Sequence, residues 1–512
     1  MLRCEAVPLL DARALTEGQV VTAPICIAGA GAAGLTLARD LAAAGVDVIL
    51  LEAGGFEREE SSQDFYAGTN SGDHDIQLDT CRSRHLGGST NCWAGWCRPL
   101  EVEDFEARSW LGGSGWPVDA PTMQPFYRRA RQTVQIGADE WDSDGIAKRI
   151  GAATWNLDPS RIRFPIYQYS PPTRFWSVYG PEVESSSAIT TVHHANVVDI
   201  ELTEDGTAVQ RLHCSTPEGL RFTAEGDHYV IAMGGIDNAR ILLASNSRDP
   251  AGVGNATGHV GTCFMEHPHF YRRAVIAMRA DVDASFYTRR RQTLTFDDDN
   301  PEGLATEYVP ALSLPRAVRD AEGIVAMAAT LSPGDPDEVL GSMESLQAAQ
   351  LHGFIRSTPD GLQLLKLTIR SEQRPTPDSR VTLSDELDAL GVPRVDVAWR
   401  LTQADYDDVQ RTIELWSAGL ARAGLGRMWM PTSEGGGFEP GAVDGGCHHM
   451  GTTRMSTDAS SGVVDADCRV HGIDNLFVAG SSIFPTGGFA NPTLTIIAFA
   501  HRLADHLATL TG

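Results

Sequence analysis

Hydrophobic positions along the chain follow two rhythms, and the first is clearest near the N-terminus. Residues 24–30 run apolar and β-prone through Ile25, Cys26 and Ile27, then pass into Gly29-Ala30-Gly31-Ala32-Ala33-Gly34. Over 35–44, Leu37, Leu41 and Ala44 recur at helical spacing, and Gly45 is placed to end the helix in a left-handed turn. Residues 46–51 are a second continuous apolar run, closed by Glu52. Unbroken runs of this kind mark strands covered on both faces. The pattern predicts strand, tight turn, helix and strand within about 30 residues, the opening unit of a doubly wound sheet.

Residues 56–190 show no clean period; they are turn-rich and hold Trp93, Trp96, Trp110 and Trp116. Strand-like runs return at 192–202 and 209–214, the first feeding the turn Glu204-Asp205-Gly206. A short apolar strand at 229–232 leads through Gly234-Gly235 into a helix over 239–243. From 262 to 400, strand-like runs alternate with proline and charged turns, which predicts an antiparallel sheet. Residues 404–423 read as an amphipathic helix, 434–446 as a glycine-rich loop, 476–479 as a buried strand and 492–507 as a closing helix.

Composition narrows the class. A chain of 512 residues suggests two to four domains, and one large two-lobed enzyme fits. Hydrophobic residues at 42% and charged residues at 21% exclude a disordered chain. The net charge is −26, and no basic cluster exceeds Arg289-Arg290-Arg291. That excludes a nucleic-acid surface and argues against an anionic membrane partner. There are nine cysteines and no Cys-x-x-Cys pair. The start, Met1-Leu2-Arg3-Cys4-Glu5, has no basic stretch leading into an apolar one, and no apolar run reaches about 18 residues. The expectation is a cytoplasmic protein with reduced thiols.

Four motifs carry candidate chemistry. In Gly29-x-Gly31-x-x-Gly34, the glycines let a pyrophosphate approach the free N–H groups at a helix start. Glu52, at the end of the second strand, sits where an acidic residue accepts ribose hydroxyls, so the unit predicts dinucleotide binding. The bland alternative is a tight turn between packed elements. Arg84-His85-Leu86-Gly87-Gly88-Ser89-Thr90-Asn91-Cys92-Trp93 suits either a loop pressed on a flat ligand or a surface turn. In Cys447-His448-His449-Met450-Gly451-Thr452-Thr453-Arg454-Met455, a histidine can serve as general base or as a hydrogen-bonded structural group. Cys447, His448, His267 and His269 lack the spacing of a metal site, so no metal is expected. In the stretch from Phe484 to Thr495, Asn491-Pro492 reads as an N-cap and first helical residue, with the positive helix end free to face an electron-rich ring.

Together these pieces resemble the glucose–methanol–choline (GMC) flavoprotein oxidoreductases, and more closely the branch of pyranose 2-oxidase and bacterial glycoside 3-oxidases. The matching segments are Gly29 to Gly34 with Glu52, Gly87-Gly88 to Trp93, Gly115-Trp116-Pro117, Ala232 to Leu243, and Phe264-Met265-Glu266-His267-Pro268. They continue with Ser379-Arg380-Val381, His448 to Met455, and Gly462 to Thr495, in the family's order along nearly the whole chain.

The resemblance implies an α/β, two-lobed fold: a Rossmann-like FAD-binding domain over 15–100, 190–262 and 445–512, and a substrate domain on an antiparallel sheet over 101–189 and 263–444. It implies FAD held by Gly29, Gly31, Ala32, Ala33, Gly34, Glu52, Gly87, Gly88, Ser89, Asn91, Cys92, Val197, Gly480, Asn491, Pro492 and Thr493. It places His448, rather than His449, at the catalytic position, with Asn491 beside it. Cys92 stands where the fungal pyranose oxidases attach FAD through histidine, so noncovalent FAD is expected. Ala479 precedes Gly480-Ser481 where many relatives have Asp, so one polar cofactor contact is absent or replaced. The implied reaction oxidises a ring C2 or C3 alcohol of a sugar or glycoside to a ketone. Hydride passes to flavin N5, His448 takes the hydroxyl proton, and dioxygen or another acceptor reoxidises the flavin. The alternatives are an aminosugar or other natural-product alcohol as substrate, a nicotinamide dehydrogenase, and a non-catalytic flavin-binding protein. Trp93, Trp96, Phe484 and Phe489 stand as sugar platforms or as core. The oligomeric state is left open.

Overall fold

The opening unit folds as its pattern predicts. In the computed structural model, the wholly buried strand Ile25–Ala28 lies parallel between Val48–Leu51 and His228–Ile231. The structure describes residues 9–137, 139–288, 292–294, 306–335, 345–356, 362–433 and 437–511. The expectations on Met1 to Glu5, on Arg289-Arg290-Arg291 and on 434–436 of the glycine-rich loop lie outside the described residues.

Six parallel strands form the first sheet, ordered Leu9–Asp11, Ile189–His193, Val48–Leu51, Ile25–Ala28, His228–Ile231 and Leu476–Val478. The helix Ala32–Ala43 buries Leu35, Leu37 and Leu41, and packs on the closing helix Thr493–Leu510. Each fully buried leucine is worth about 1.5–3 kcal/mol. The closing helix also packs against Ala120–Thr133, a helix the sequence reading left among turns. Asp119 caps that helix by accepting from the Thr122 amide. That helix holds Pro125 in its interior, as the helix Phe175–Ser185 holds Pro181.

The expected strand over 192–202 is two strands. Ile189–His193 ends in the parallel sheet, and Asn196–Leu202 belongs to a four-stranded sheet with Val209–Ser215, Arg221–Glu225 and Val20–Thr22. The break is His194, whose left-handed φ of 55° turns the chain.

The antiparallel sheet expected over 262–400 is present and draws on a longer stretch of chain. Its path runs Gly426–Trp429, His269–Arg279, Leu362–Ser371, Met327–Gly334, Thr306–Ser313, Ile166–Tyr169 and Trp96–Cys97, with Gln292–Leu294 paired to Thr306–Ser313. Arg380–Leu387 and Pro393–Ala398 stand apart, in a three-stranded sheet with Gly68–Asn70. Among the described residues, no helix is long and apolar enough to cross a membrane.

Candidate functional site

A cavity of about 580 Å³ opens beyond the C-terminal ends of four parallel strands, at Gly29, Glu52, Ala232 and Gly480, and reaches Trp96, His269 and Arg370 on the antiparallel sheet. Carboxyl ends of parallel strands are where α/β sheets form binding crevices. Gly29, Gly31, Ala32, Ala33, Glu52, Gly88, Ser89, Cys92, Val197, Gly480, Asn491, Pro492 and Thr493 line it, as does His448.

Two glycine motifs meet at its floor: a Cβ on Gly88 would come 2.8 Å from the Gly31 Cα. Gly31 precedes the helix Ala32–Ala43 without a side-chain cap, so that helix start keeps free N–H groups. The Glu52 carboxylate is buried and accepts from the Ala30 amide at 2.9 Å and the Gly54 amide at 3.1 Å. Burial raises its pKa against those donors.

Gly34, Gly87 and Asn91 do not line the cavity. A Cβ on Gly34 would run into the Gly29 carbonyl, so its role is helix-to-strand packing. Gly87, with φ 95°, donates its amide to the Ala30 carbonyl at 2.9 Å. The Asn91 amide donates to the Leu86 carbonyl at 2.9 Å. The last two shape the loop and make no wall. Of the aromatic candidates, Phe484 and Phe489 are core, whereas Trp93 and Trp96 line the cavity.

At the other end of the cavity, His448 and Asn491 meet across 43 positions of sequence: the Asn491 amide nitrogen lies 3.0 Å from His448 Nε2. Asn491 is therefore not the cap of the last helix. Pro492 holds that position, and the helix begins at Thr493. The Asn491 Oδ1 is buried with no protein partner.

The hydrogen-bond pattern fixes the protons. His267 Nε2 lies 2.9 Å from the Gly488 carbonyl, which only accepts, so Nε2 carries the hydrogen. Neutral His267 thus offers a lone pair at Nδ1, 2.8 Å from His448 Nδ1. His448 must donate from Nδ1, which leaves its Nε2 bare toward Asn491 and the cavity. Burial holds His267 at about 4. Burial, then the neighbouring His267 and His269, hold His448 well below the ordinary imidazole value. Both rings are neutral near pH 7, and His448 is base-competent.

His449 lines the cavity as well, with its ring engaged by other partners. Its Nε2 lies 3.4 Å from Glu266 Oε1 and 3.6 Å from the Cys81 sulfur. Glu266 is fully enclosed and accepts the amides of Gly446 and His448, each at 2.8 Å, and of His267 at 3.1 Å. Burial pushes its pKa up to about 8.

The loop bearing Gly488 is anchored from below. The Gly488 amide donates to Glu372 at 3.2 Å, and Arg108 grips the same buried carboxylate with bonds of 2.7 and 2.6 Å. Sequence reasoning assigned no role to Glu266, Glu372, Arg108 or Arg370, and weighed His267 and His269 only as metal ligands. The contacts that join His267 to His448, Glu266 to the His448 amide and Glu372 to the Gly488 amide each span more than 100 residues, beyond any local pattern. The structure does bring together three metal-capable side chains that the sequence reading had not singled out, Asp11, His193 and His194, with donor atoms within 4.8 Å of one another. Asp11 there is clasped by Arg13 at 2.9 and 2.6 Å.

Residues 375–500 match the GMC oxidoreductase family in its C-terminal part. The chain is 24% identical over 552 aligned positions to 6'''-hydroxyparomomycin C oxidase of Streptomyces lividus, covering 94% of this chain and 92% of that one. It is 34% identical over 124 positions to a C-glycoside 3-oxidase of Arthrobacter globiformis, covering 24% and 22% of the two chains. In fold it is similar to an Aspergillus oryzae RIB40 formate oxidase variant described for its effect on FAD modification. That likeness has a TM-score of 0.57 at 17% identity, over 97% of this chain and 99% of the other.

Proposed function

We propose, proceeding from the chain's membership of the GMC oxidoreductases, that it is an FAD-dependent enzyme oxidising a ring C2 or C3 alcohol of a sugar or glycoside to a ketone. The observation that carries the reading is the bare His448 Nε2 beside Asn491, 3.0 Å away, at the end of a cavity floored by two glycine motifs. The residues present suit FAD. Gly31 and Gly88 leave no side chain between them, the Ala32–Ala43 helix start is uncapped, and Glu52 lies at the end of its strand. Cys92 is exposed, and its thiol donates to the Ser89 carbonyl at 3.4 Å and accepts from Ser83 at 3.5 Å, which supports noncovalent binding.

Bound there, FAD supplies the acceptor for the hydride of the carbinol carbon. The substrate hydroxyl inserts between His448 and Asn491. His448 Nε2 accepts its proton, and Asn491 donates to its oxygen and fixes its direction. The orphaned Oδ1 of Asn491 accepts a second substrate hydroxyl. Pro492 and Thr493 turn the positive end of an 18-residue helix toward the same space, where negative charge is favoured.

A second reading, oxidation of an aminosugar, is favoured by the relative that matches over most of its length. Against it stands Arg370, which lines the cavity and lies 4.3 Å from the centre of the Trp96 ring. An ammonium group beside that guanidinium is disfavoured. Anaerobic mixing with neutral glycosides, monosaccharides and aminoglycosides, followed by flavin absorbance, tests both. Bleaching by neutral sugars supports the first reading, bleaching by aminoglycosides alone replaces it with the second, and no bleaching by any alcohol removes both. Flavin freed by acid precipitation checks the noncovalent mode.

A further inference from the structure

The wall of the cavity carries charge of the opposite sign to the chain. The protein has 67 acidic residues against 41 lysines and arginines. Among the described residues, one carboxylate lines the cavity, Glu52, against three guanidiniums, Arg82, Arg84 and Arg370. Arg82 is ion-paired with Asp237, and Arg84 donates to the Asn196 side-chain oxygen at 2.7 Å. Arg370 differs from both. It stands on the strand Leu362–Ser371, directly opposite His269 on the neighbouring strand, and opposite residues share one face of a sheet. The His269 ring lies 6.3 Å, centre to centre, from that of His448. Arg370 is therefore one side chain beyond the neighbour of the catalytic histidine.

Its partners are all neutral. Arg370 Nη1 donates to the Thr330 hydroxyl at 3.2 Å, and the guanidinium lies 4.3 Å from the centre of the Trp96 ring. Among the described residues it has no ion-pair partner. The enclosed Arg108, Arg240 and Arg319 each meet a carboxylate at 2.6 Å. Stacking on Trp96 and the bond to Thr330 fix the plane of the Arg370 fork and leave its Nε–Nη2 edge without a protein acceptor. Beside it, the buried His269 Nε2 also lacks a protein partner.

We propose that Arg370 is an anion subsite of the substrate chamber, and that the substrate is an acidic sugar or glycoside whose carboxylate docks on its open edge. This deepens the sugar-oxidising reading and rests on it for the other end of the substrate. A guanidinium edge matches a planar carboxylate with two parallel N–H···O bonds, and such charge-assisted pairs are about twice as strong as neutral ones. Arg370 anchors the acid group, while a ring hydroxyl meets His448 and Asn491. Arg370 thus sets specificity without touching the reacting atoms.

The test compares phenyl glucoside with two acidic counterparts, phenyl glucuronide and 4-carboxyphenyl glucoside, and with phenyl glucoside 6-sulfate, on the FAD-loaded protein without oxygen. Dissociation constants come from the concentration dependence of flavin reduction or, where no reduction occurs, from the ligand-induced change in the flavin spectrum. At least one carboxylate probe is expected to bind roughly 10- to 150-fold more tightly than phenyl glucoside. Arg370→Gln is expected to abolish that preference, and Arg370→Lys, which keeps the charge and loses the fork, to retain part of it. Equal binding of the neutral and both carboxylate probes, tighter binding of the sulfate ester than of either carboxylate, or an undiminished preference in Arg370→Gln would each overturn the proposal. Should Arg370→Gln fail to hold FAD, the wild-type comparison and Arg370→Lys still decide. Tight acid binding without bleaching by any sugar leaves the subsite standing and removes the proposed reaction; bleaching without acid preference does the reverse.

Discussion

Replacing His267 is the sharpest test of the proton arrangement, because His267 touches neither reacting atom. It acts only through His448 Nδ1, 2.8 Å away, and it is fixed in turn by the Gly488 carbonyl at 2.9 Å. His267→Phe keeps a ring of similar size and removes both hydrogen bonds. The Nδ1–H of buried His448 then has no acceptor, a loss of about 1–3 kcal/mol for a buried unpaired donor. Its preference for the tautomer with a bare Nε2 falls by the same amount. At about 1.4 kcal/mol per tenfold, flavin reduction slows by roughly 5- to 150-fold. His267→Gln supplies an amide oxygen to His448 and an amide N–H to Gly488, so it is expected to recover part of the rate. The assay is anaerobic stopped-flow reduction at saturating substrate, with flavin content and circular dichroism as controls for folding. Wild-type reduction in folded, flavin-loaded His267→Phe, or equal rates in the two variants, would refute the tautomer argument.

Asn491→Ala removes one hydrogen bond to the reacting hydroxyl and is expected to slow flavin reduction roughly tenfold or more with FAD retained; a wild-type rate counts against its role. Because His448 is held low by burial and by its His267 and His269 neighbours, it stays neutral and base-competent above that lowered value. The acid limb of kcat/KM is therefore expected below about 6.5, and a limb at or above it contradicts the assignment. Gly34→Ala forces a Cβ into the Gly29 carbonyl and is expected to yield protein without flavin, read from the visible-to-ultraviolet absorbance ratio. Glu372→Gln leaves the buried Arg108 guanidinium short of a countercharge. It is expected to lower unfolding free energy by about 3–5 kcal/mol, measured as a shifted urea midpoint at unchanged m-value.

What the sequence made legible was local backbone shape. The strand–turn–helix–strand unit showed itself because a strand covered on both faces must be continuously apolar, and because glycine alone fits where two backbones touch. The strand over 192–202 failed on one residue: a single left-handed His194 redirects the chain without altering the apolar pattern around it. The helix Ala120–Thr133 was missed because its buried stripe is only Ala120, Met123, Tyr127, Ala130 and Thr133, set among polar neighbours and an interior proline. His448 and Asn491 came from family resemblance; no spacing rule joins positions 43 apart.

Asn491 shows where the two kinds of information part. Asn followed by Pro at a helix start is a cap by local rule, and such a cap stabilises a helix by about 1 kcal/mol. The structure gives that up and sends the amide to His448 Nε2. A lone pair on a buried imidazole competes on better terms, since an unpaired buried acceptor costs about 1–3 kcal/mol. Which end of the amide faces His448 follows from His267, 181 positions from His448 in sequence, which places the His448 proton on its far nitrogen. With that proton on Nε2, the Asn491 amide would have to turn its Oδ1 to His448 in place of its N–H. The orientation of the amide is thus decided by the His448 tautomer, and a variant that flips that tautomer should also turn the Asn491 amide over.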